Sequence, residues 1–175
     1  MLIPRPGPDE YVPYFGTYVN KVPAGDILEV LEAQRVETQR LLRSLTPAQA
    51  LHRYAPRKWS IKEVVGHVAD AERVFAYRAL RFARGDETPL ASFDENKWMP
   101  FCNFDARSMS DLADELDLVR RATLALFRSF DGPAIGRRGL ASGNGVSVRA
   151  IAYIIAGHER HHVDILRERY LGGRT

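Results

Sequence analysis

Cysteine is nearly absent from this chain of 175 residues: Cys102 stands alone. A disulfide within the chain is thereby excluded, as is a zinc site built on several thiolates. Long apolar runs are also missing, and nothing approaches the roughly 20 residues of a membrane-spanning helix. The first residues are interrupted by Pro4, Pro6 and Pro8 and do not read as a secretion signal. A cytoplasmic location with no membrane partner is expected. There is no large excess of one charge. The 25 Lys and Arg face 22 Asp and Glu, for a formal net charge of +3 and a pI near 9.2. The basic residues are dispersed among acidic ones, the pattern of solvated helix faces and not of a nucleic-acid footprint. No stretch keeps the alternation of a strand beyond a few residues.

What is present is helical. With 45% apolar and 27% charged residues, the composition suits one globular domain over residues 1–175. Residues 1–25 carry five prolines and the aromatics Tyr11, Tyr14, Phe15 and Tyr18, which predicts an arm packed on the body with one short turn. Four apolar stripes of helical period follow within residues 26–170. They predict helices near 26–44 (Ile27, Leu31, Gln34, Thr38, Leu41, Leu45 inward), 60–84 (Val64, His67, Ala71, Val74, Arg78, Phe82), 110–130 (Leu112, Leu116, Val119, Thr123, Leu126, Phe130) and 147–170 (Ile151, Ile154, Ile155, His158, His162, Ile165, Arg169). Ser60 and Glu63 form a capping box that opens the second. The economical fold is an all-α, four-helix up-down bundle. Residues 85–109, with Phe93, Trp98, Phe101 and Phe104, form a long crossover that either serves function or closes one end of the bundle. Residues 131–146 form a glycine-rich last connection. Val65, Leu80 and Tyr153, on outer helix faces by this phase, suggest a homodimer.

The chemistry lies in histidine. Of the five, His158 and His162 are four apart, so they lie about 40° from one another on one helix face. That face also carries Ile151, Ile155 and Ile165. His67 sits mid-stripe on the second helix. His161 falls about 60° to the other side of His158, at the stripe's edge, and His52 lies outside the helices. One inward histidine is usually a hydrogen-bonded core residue. Three on inner faces need a shared partner, because burying unpartnered imidazoles is costly. A divalent ion is such a partner: neutral imidazole suits zinc, nickel, copper or iron. Three protein ligands would leave one coordination position for substrate, as in catalytic sites.

His158-Glu159-Arg160-His161-His162 also matches the zinc-protease pattern H-E-x-x-H. Its extended form needs Gly at 165 and His at 168, where this chain has Ile165 and Glu168. A di-iron bundle needs two Glu-x-x-His motifs and two further inward glutamates. Only Glu159 to His162 supplies one.

The arm segment Tyr14-Phe15-Gly16-Thr17-Tyr18-Val19, the run from Lys58-Trp59-Ser60 to Gly66-His67, the crossover segment Phe93 to Trp98, and Gly157-His158-Glu159-Arg160-His161-His162 together resemble the DinB/YfiT-like superfamily of metal-dependent enzymes. The resemblance covers nearly the whole chain. It implies a four-helix bundle with a three-histidine metal site, whose ligands fall on His67, His158 and His162. It implies one divalent ion, zinc or nickel first, iron or manganese next. Some members are S-transferases using thiols such as bacillithiol, and others are mycothiol-dependent isomerases.

The functional expectation is therefore thiol S-transfer to an electrophile at the metal. The alternatives are hydrolysis of a small ester or amide, and a non-catalytic metal-binding or ligand-binding stress protein. No catalytic side chain is singled out. Glu159 and Asp70 are candidates for a base or for orienting a ligand, though their helical phase is off-centre and suits ordinary surface charge. Arg78 and Trp98 are candidate pocket residues. Arg78 and Arg169 both lie on inner stripes, and only one of them is expected near the substrate.

Overall fold

The computed structural model describes residues 2–172. Four long helices carry it: α1 (Ile27–Arg43), α2 (Ile61–Ala83), α3 (Met109–Arg128) and α4 (Val148–Ile165), the last running on into a wider π-helical turn, Leu166–Tyr170. Each begins where the sequence offers a side-chain cap. Asp26 accepts from the amide of Leu28, Ser60 from Glu63, Ser108 from Asp111 and Ser147 from Ala150. These caps satisfy amides that the first turn leaves without partners.

Cross-helix pairs fix the directions. Arg35 and Arg43 of α1 meet Asp117 and Asp114 of α3, so those helices are antiparallel. Along α2, Arg73 meets Glu115 of α3, and the first turns of both helices share one apolar cluster (Val65, Ala69, Leu112, Leu116). Their last turns share another (Phe82, Phe127). Helices α2 and α3 are therefore parallel. The 85–109 crossover makes this possible by carrying the chain back to the end where α2 began. Thus the four-helix bundle and its long crossover stand as expected, with the alternation of directions interrupted once, between the second and third helices.

The centre is polar. Arg120 of α3 is 1% exposed and donates to both carboxylate oxygens of Glu72 on α2, at 2.8 and 2.7 Å. Its Nη1 lies 2.8 Å from Glu159 of α4 and donates to the Leu31 carbonyl of α1. One guanidinium thus touches all four helices. The expected stripe of α3 passed through Val119 and missed Arg120, its buried neighbour.

The last connection holds an element not expected from the sequence, a two-stranded hairpin of β1 (Arg138–Ala141) and β2 (Asn144–Ser147). Each strand has four residues, too few to show an alternating pattern. Ser142 and Gly143 turn with positive φ, the conformation of tight hairpins. The crossover joins it by backbone hydrogen bonds between Leu90 and residues Leu140 and Ser142.

The arm crosses α4 as short helical turns, Pro8–Glu10, Pro13–Phe15 and Gly16–Val19. Glu10, 3% exposed, accepts from Ser147 Oγ at 2.6 Å and from Arg149 at 2.7 and 2.5 Å. This arm covers Tyr153, over which the Arg5 guanidinium sits, and Val65 lies inside the cluster around Phe104. Two of the three apolar residues expected on outer faces are therefore buried, and of the three only Leu80 stays partly exposed. Among the described residues no helix is long and apolar enough to cross a membrane.

Candidate metal centre

His67 of α2 and His158 and His162 of α4 meet between two antiparallel helices. The Nε2 of His158 lies 3.2 Å from that of His67 and 3.2 Å from that of His162. One ligand atom from each ring falls within 4.8 Å of the others. His67 and His158 are buried and His162 is half-buried. Burial favours the neutral imidazole, lowering His67 to about 4 against a smaller opposing pull from Glu95. Burial, reinforced by His67 and His161, lowers His162 to about 3. His158 is pushed well below the ordinary range for the same reason, its three histidine neighbours adding to burial.

This donor set fits a divalent ion. Tetrahedral zinc with bonds of about 2.0–2.1 Å places its nitrogen ligands about 3.3 Å apart, close to the 3.2 Å that separates His158 from each of its two partners. Hydrogen bonding serves the arrangement poorly. The one ring atom of His158 can share a proton with one neighbour at a time, whereas an ion satisfies all three nitrogens. The rings are already deprotonated at neutral pH, the form in which imidazole binds metal.

The other two histidines stay outside this set. His161 stands beside Tyr18, ring centres 5.5 Å apart, on the wall of the same cavity. His52 is exposed and packs near Tyr170.

The cavity above the three rings holds about 320 Å³. The arm contributes Tyr14, Phe15 and Tyr18, and the segment before α2 contributes Trp59, whose ring centre is 5.1 Å from that of His67. Tyr18 packs edge-on to His158 at 5.3 Å. Gly157 permits this: a β-carbon there would sit 2.1 Å from the carbonyl oxygen of Tyr18. Phe75 and Arg78 of α2, Phe93 and Glu95 of the crossover, and Ser142 of the hairpin complete the walls.

Of the pocket residues expected from sequence, Arg78 is in place. Trp98 is not on the wall. It is 42% exposed and stacks behind Phe93, ring centres 5.0 Å apart. Arg169 is exposed at the far end of α4, over the ring of Tyr54. Neither candidate carboxylate lines the cavity. Glu159 is 2% exposed and saturated by Arg120, Gln34 and Thr38, so it is neither a surface charge nor a free base. Asp70 is half-buried on another flank of α2, paired with Arg73 at 3.1 Å; burial raises its carboxyl and Arg73 opposes. The carboxylate on the wall is Glu95. Glu95 and Trp59 both lie in segments that carried the family resemblance, but nothing in their spacing marked them, because each reaches the site from outside the helices.

The chain belongs to the DinB superfamily, whose family pattern it matches over residues 30–166, a span that contains all three converging histidines. A protein of Oceanobacillus iheyensis whose name suggests a metal-dependent hydrolase is 27% identical over 150 residues, 82% of this chain and 84% of that one. Among solved structures, YfiT from Bacillus subtilis, described as a probable metal-dependent hydrolase with an unusual four-helix bundle topology, aligns with a TM-score of 0.71 at 19% identity, over 81% of this chain and 85% of YfiT. A mycothiol-dependent maleylpyruvate isomerase aligns at 0.66 and 16% identity, over 83% of this chain and 62% of the isomerase. At these identities the structural matches establish the shared fold.

Proposed function

We propose that this protein is a metal-dependent enzyme, that His67, His158 and His162 hold one zinc or nickel ion, and that it transfers a low-molecular-weight thiol to an electrophile. The observation that carries the reading is three neutral imidazoles converging at the floor of a cavity with room for a small molecule. Bound by uncharged ligands, such an ion keeps its full charge and favours the thiolate, the nucleophilic form of a thiol. Tyr18, Trp59 and Phe75 supply aromatic walls beside the three rings. The Glu95 carboxylate, on the same wall, accepts the thiol's proton. Arg78 and Ser142 hold the electrophile. The names of the relatives support metal dependence, and the mycothiol-dependent isomerase supports a thiol co-substrate on this fold. Manganese would be accommodated less well by an all-nitrogen set. The whole chain, arm and bundle together, acts as one domain in this reading, since the arm supplies part of the cavity.

A second reading is hydrolysis of a small ester or amide, favoured by Glu95 as a carboxylate placed to take a proton from water. A paired assay separates the two. Metal-loaded protein is incubated with a haloaromatic or an epoxide, with and without bacillithiol, mycothiol or glutathione, and with simple esters and amides in parallel. Thiol-dependent conjugation lost in His162→Ala is the expected result. Thiol-independent ester or amide turnover, lost in the same variant, would replace transfer by hydrolysis. A bound ion with no exchangeable position would make the protein a binding module.

A further inference from the structure

Two arginines are deeply buried, and they differ in their partners. Arg120 has Glu72 and Glu159. Arg78 is 5% exposed, and among the described residues no carboxylate lies within ion-pair distance of it. Its Nη2 donates to the Ala91 carbonyl at 2.9 Å and to Ser142 Oγ at 3.0 Å, and its guanidinium packs over Phe93 at 5.6 Å. Both of those bonds use one nitrogen, which leaves the donors of Nη1 for a ligand. A buried cation without an anion is costly, so this position is primed for one.

Arg78 also stands at a junction. It lines the histidine cavity and a second chamber of about 190 Å³ beneath the hairpin, walled by Val12, Phe75, Val146, Ile151 and Ile154. That lining is overwhelmingly apolar, and Glu95 is not part of it. Apolar cavities of about 150 Å³ in proteins accept benzene, so this chamber has space for a group of that size.

We infer that the site selects a substrate bearing a carboxylate that pairs with Arg78 and an apolar, phenyl-sized substituent that enters the chamber beneath the hairpin. The inference rests on the proposed function for what happens at the histidines, but the binding it describes needs only Arg78 and the chamber. Glu95 repels an anion from the histidine side, and Arg78 attracts it at the junction, which orients the molecule.

The probe is 3-phenylpropionate, compared with 3-phenylpropanol and with propionate, titrated by NMR into the protein as purified and after chelator treatment. The carboxylate is expected to bind about tenfold to a hundredfold tighter than the alcohol, the range for hydrogen bonds to charged groups. Arg78→Gln should bring the two within about twofold, while Arg78→Lys retains part of the preference. Val12→Trp, at the partly exposed rim of the chamber, should weaken 3-phenylpropionate tenfold or more and leave propionate unchanged. Equal binding of acid and alcohol to the native protein would overturn the inference, as would a preference that survives Arg78→Gln. If Arg78→Gln fails to fold, Arg78→Lys and Val12→Trp decide. A preference that disappears on chelation but persists without Arg78 would place the carboxylate on the ion, overturning this inference while leaving the metal reading intact.

Discussion

Glu159 directly follows His158 in sequence, yet its carboxylate faces away from the histidine cluster and lies 2.8 Å from the fully buried guanidinium of Arg120. The two side chains serve different purposes one residue apart, because successive helical positions are turned by about 100°. Removing Arg120 would strand both Glu72 and Glu159 without a counter-charge. Arg120→Met is expected to destabilise the protein by about 3–5 kcal/mol, measured by urea denaturation. Glu159→Gln should cost less, since Glu72 still pairs with Arg120, and should keep stoichiometric metal. Loss of metal in Glu159→Gln at unchanged stability would mean that Glu159 serves the ion directly.

Metal content tests the ligand set. His67→Ala, His158→Ala and His162→Ala should each reduce bound ion from about one per chain to a trace by elemental analysis, since three ligands leave none to spare. His52→Ala should leave it unchanged. Full occupancy in His162→Ala together with loss in His161→Ala would exchange the roles of those two residues.

The depressed histidines predict how the metal-free protein responds to acid. Their folded values, about 4 for His67 and about 3 for His162, lie below the unfolded value of 6.5. The unfolded chain therefore binds more protons than the folded one as pH falls below about 6.5, and stability declines with acidity from there toward pH 3. Above pH 6.5 this contribution is complete and flat. Melting temperatures of the chelator-treated protein between pH 8 and 4 measure it. His67→Ala should flatten part of the slope, and an unchanged slope in that variant would show that other groups cause it.

The arm depends on Glu10. Burial disfavours its charge, but the hydrogen bonds from Arg149, Ser147 and the Gly7 amide prevail and hold its carboxyl at about 2, below the ordinary 4.5. Because the folded value is the lower one, the stabilisation is present above pH 4.5 and is lost as pH falls toward 2. Glu10→Gln is expected to cost about 1–3 kcal/mol and to speed proteolytic cleavage within residues 1–25. Cleavage at the native rate would show that other contacts hold the arm.

Gly157 sets how closely the arm approaches the site. Gly157→Ala would drive a methyl group into the Tyr18 backbone, so Tyr18 must move off His158. We expect reduced thermal stability and changed His158 ring resonances by NMR. Native spectra in that variant would mean that the arm yields without cost.

The sequence by itself determined the four helices, within a few residues at each end, because each has an apolar stripe of period 3.6 and a side-chain cap beside it. It also placed His67, His158 and His162 on inward faces, since spacing along one helix converts directly into direction. Tertiary structure decided which groups accompany them. Tyr18, Trp59, Phe93 and Glu95 come from the arm, an α2-flanking segment and the crossover, where no regular period relates position to direction. The parallel run of α2 and α3, the hairpin and the pairing of Arg120 with Glu72 and Glu159 had the same origin. They depend on contacts between residues distant in the chain, and only packing in three dimensions brings those residues within the few ångströms over which charges and hydrogen bonds act.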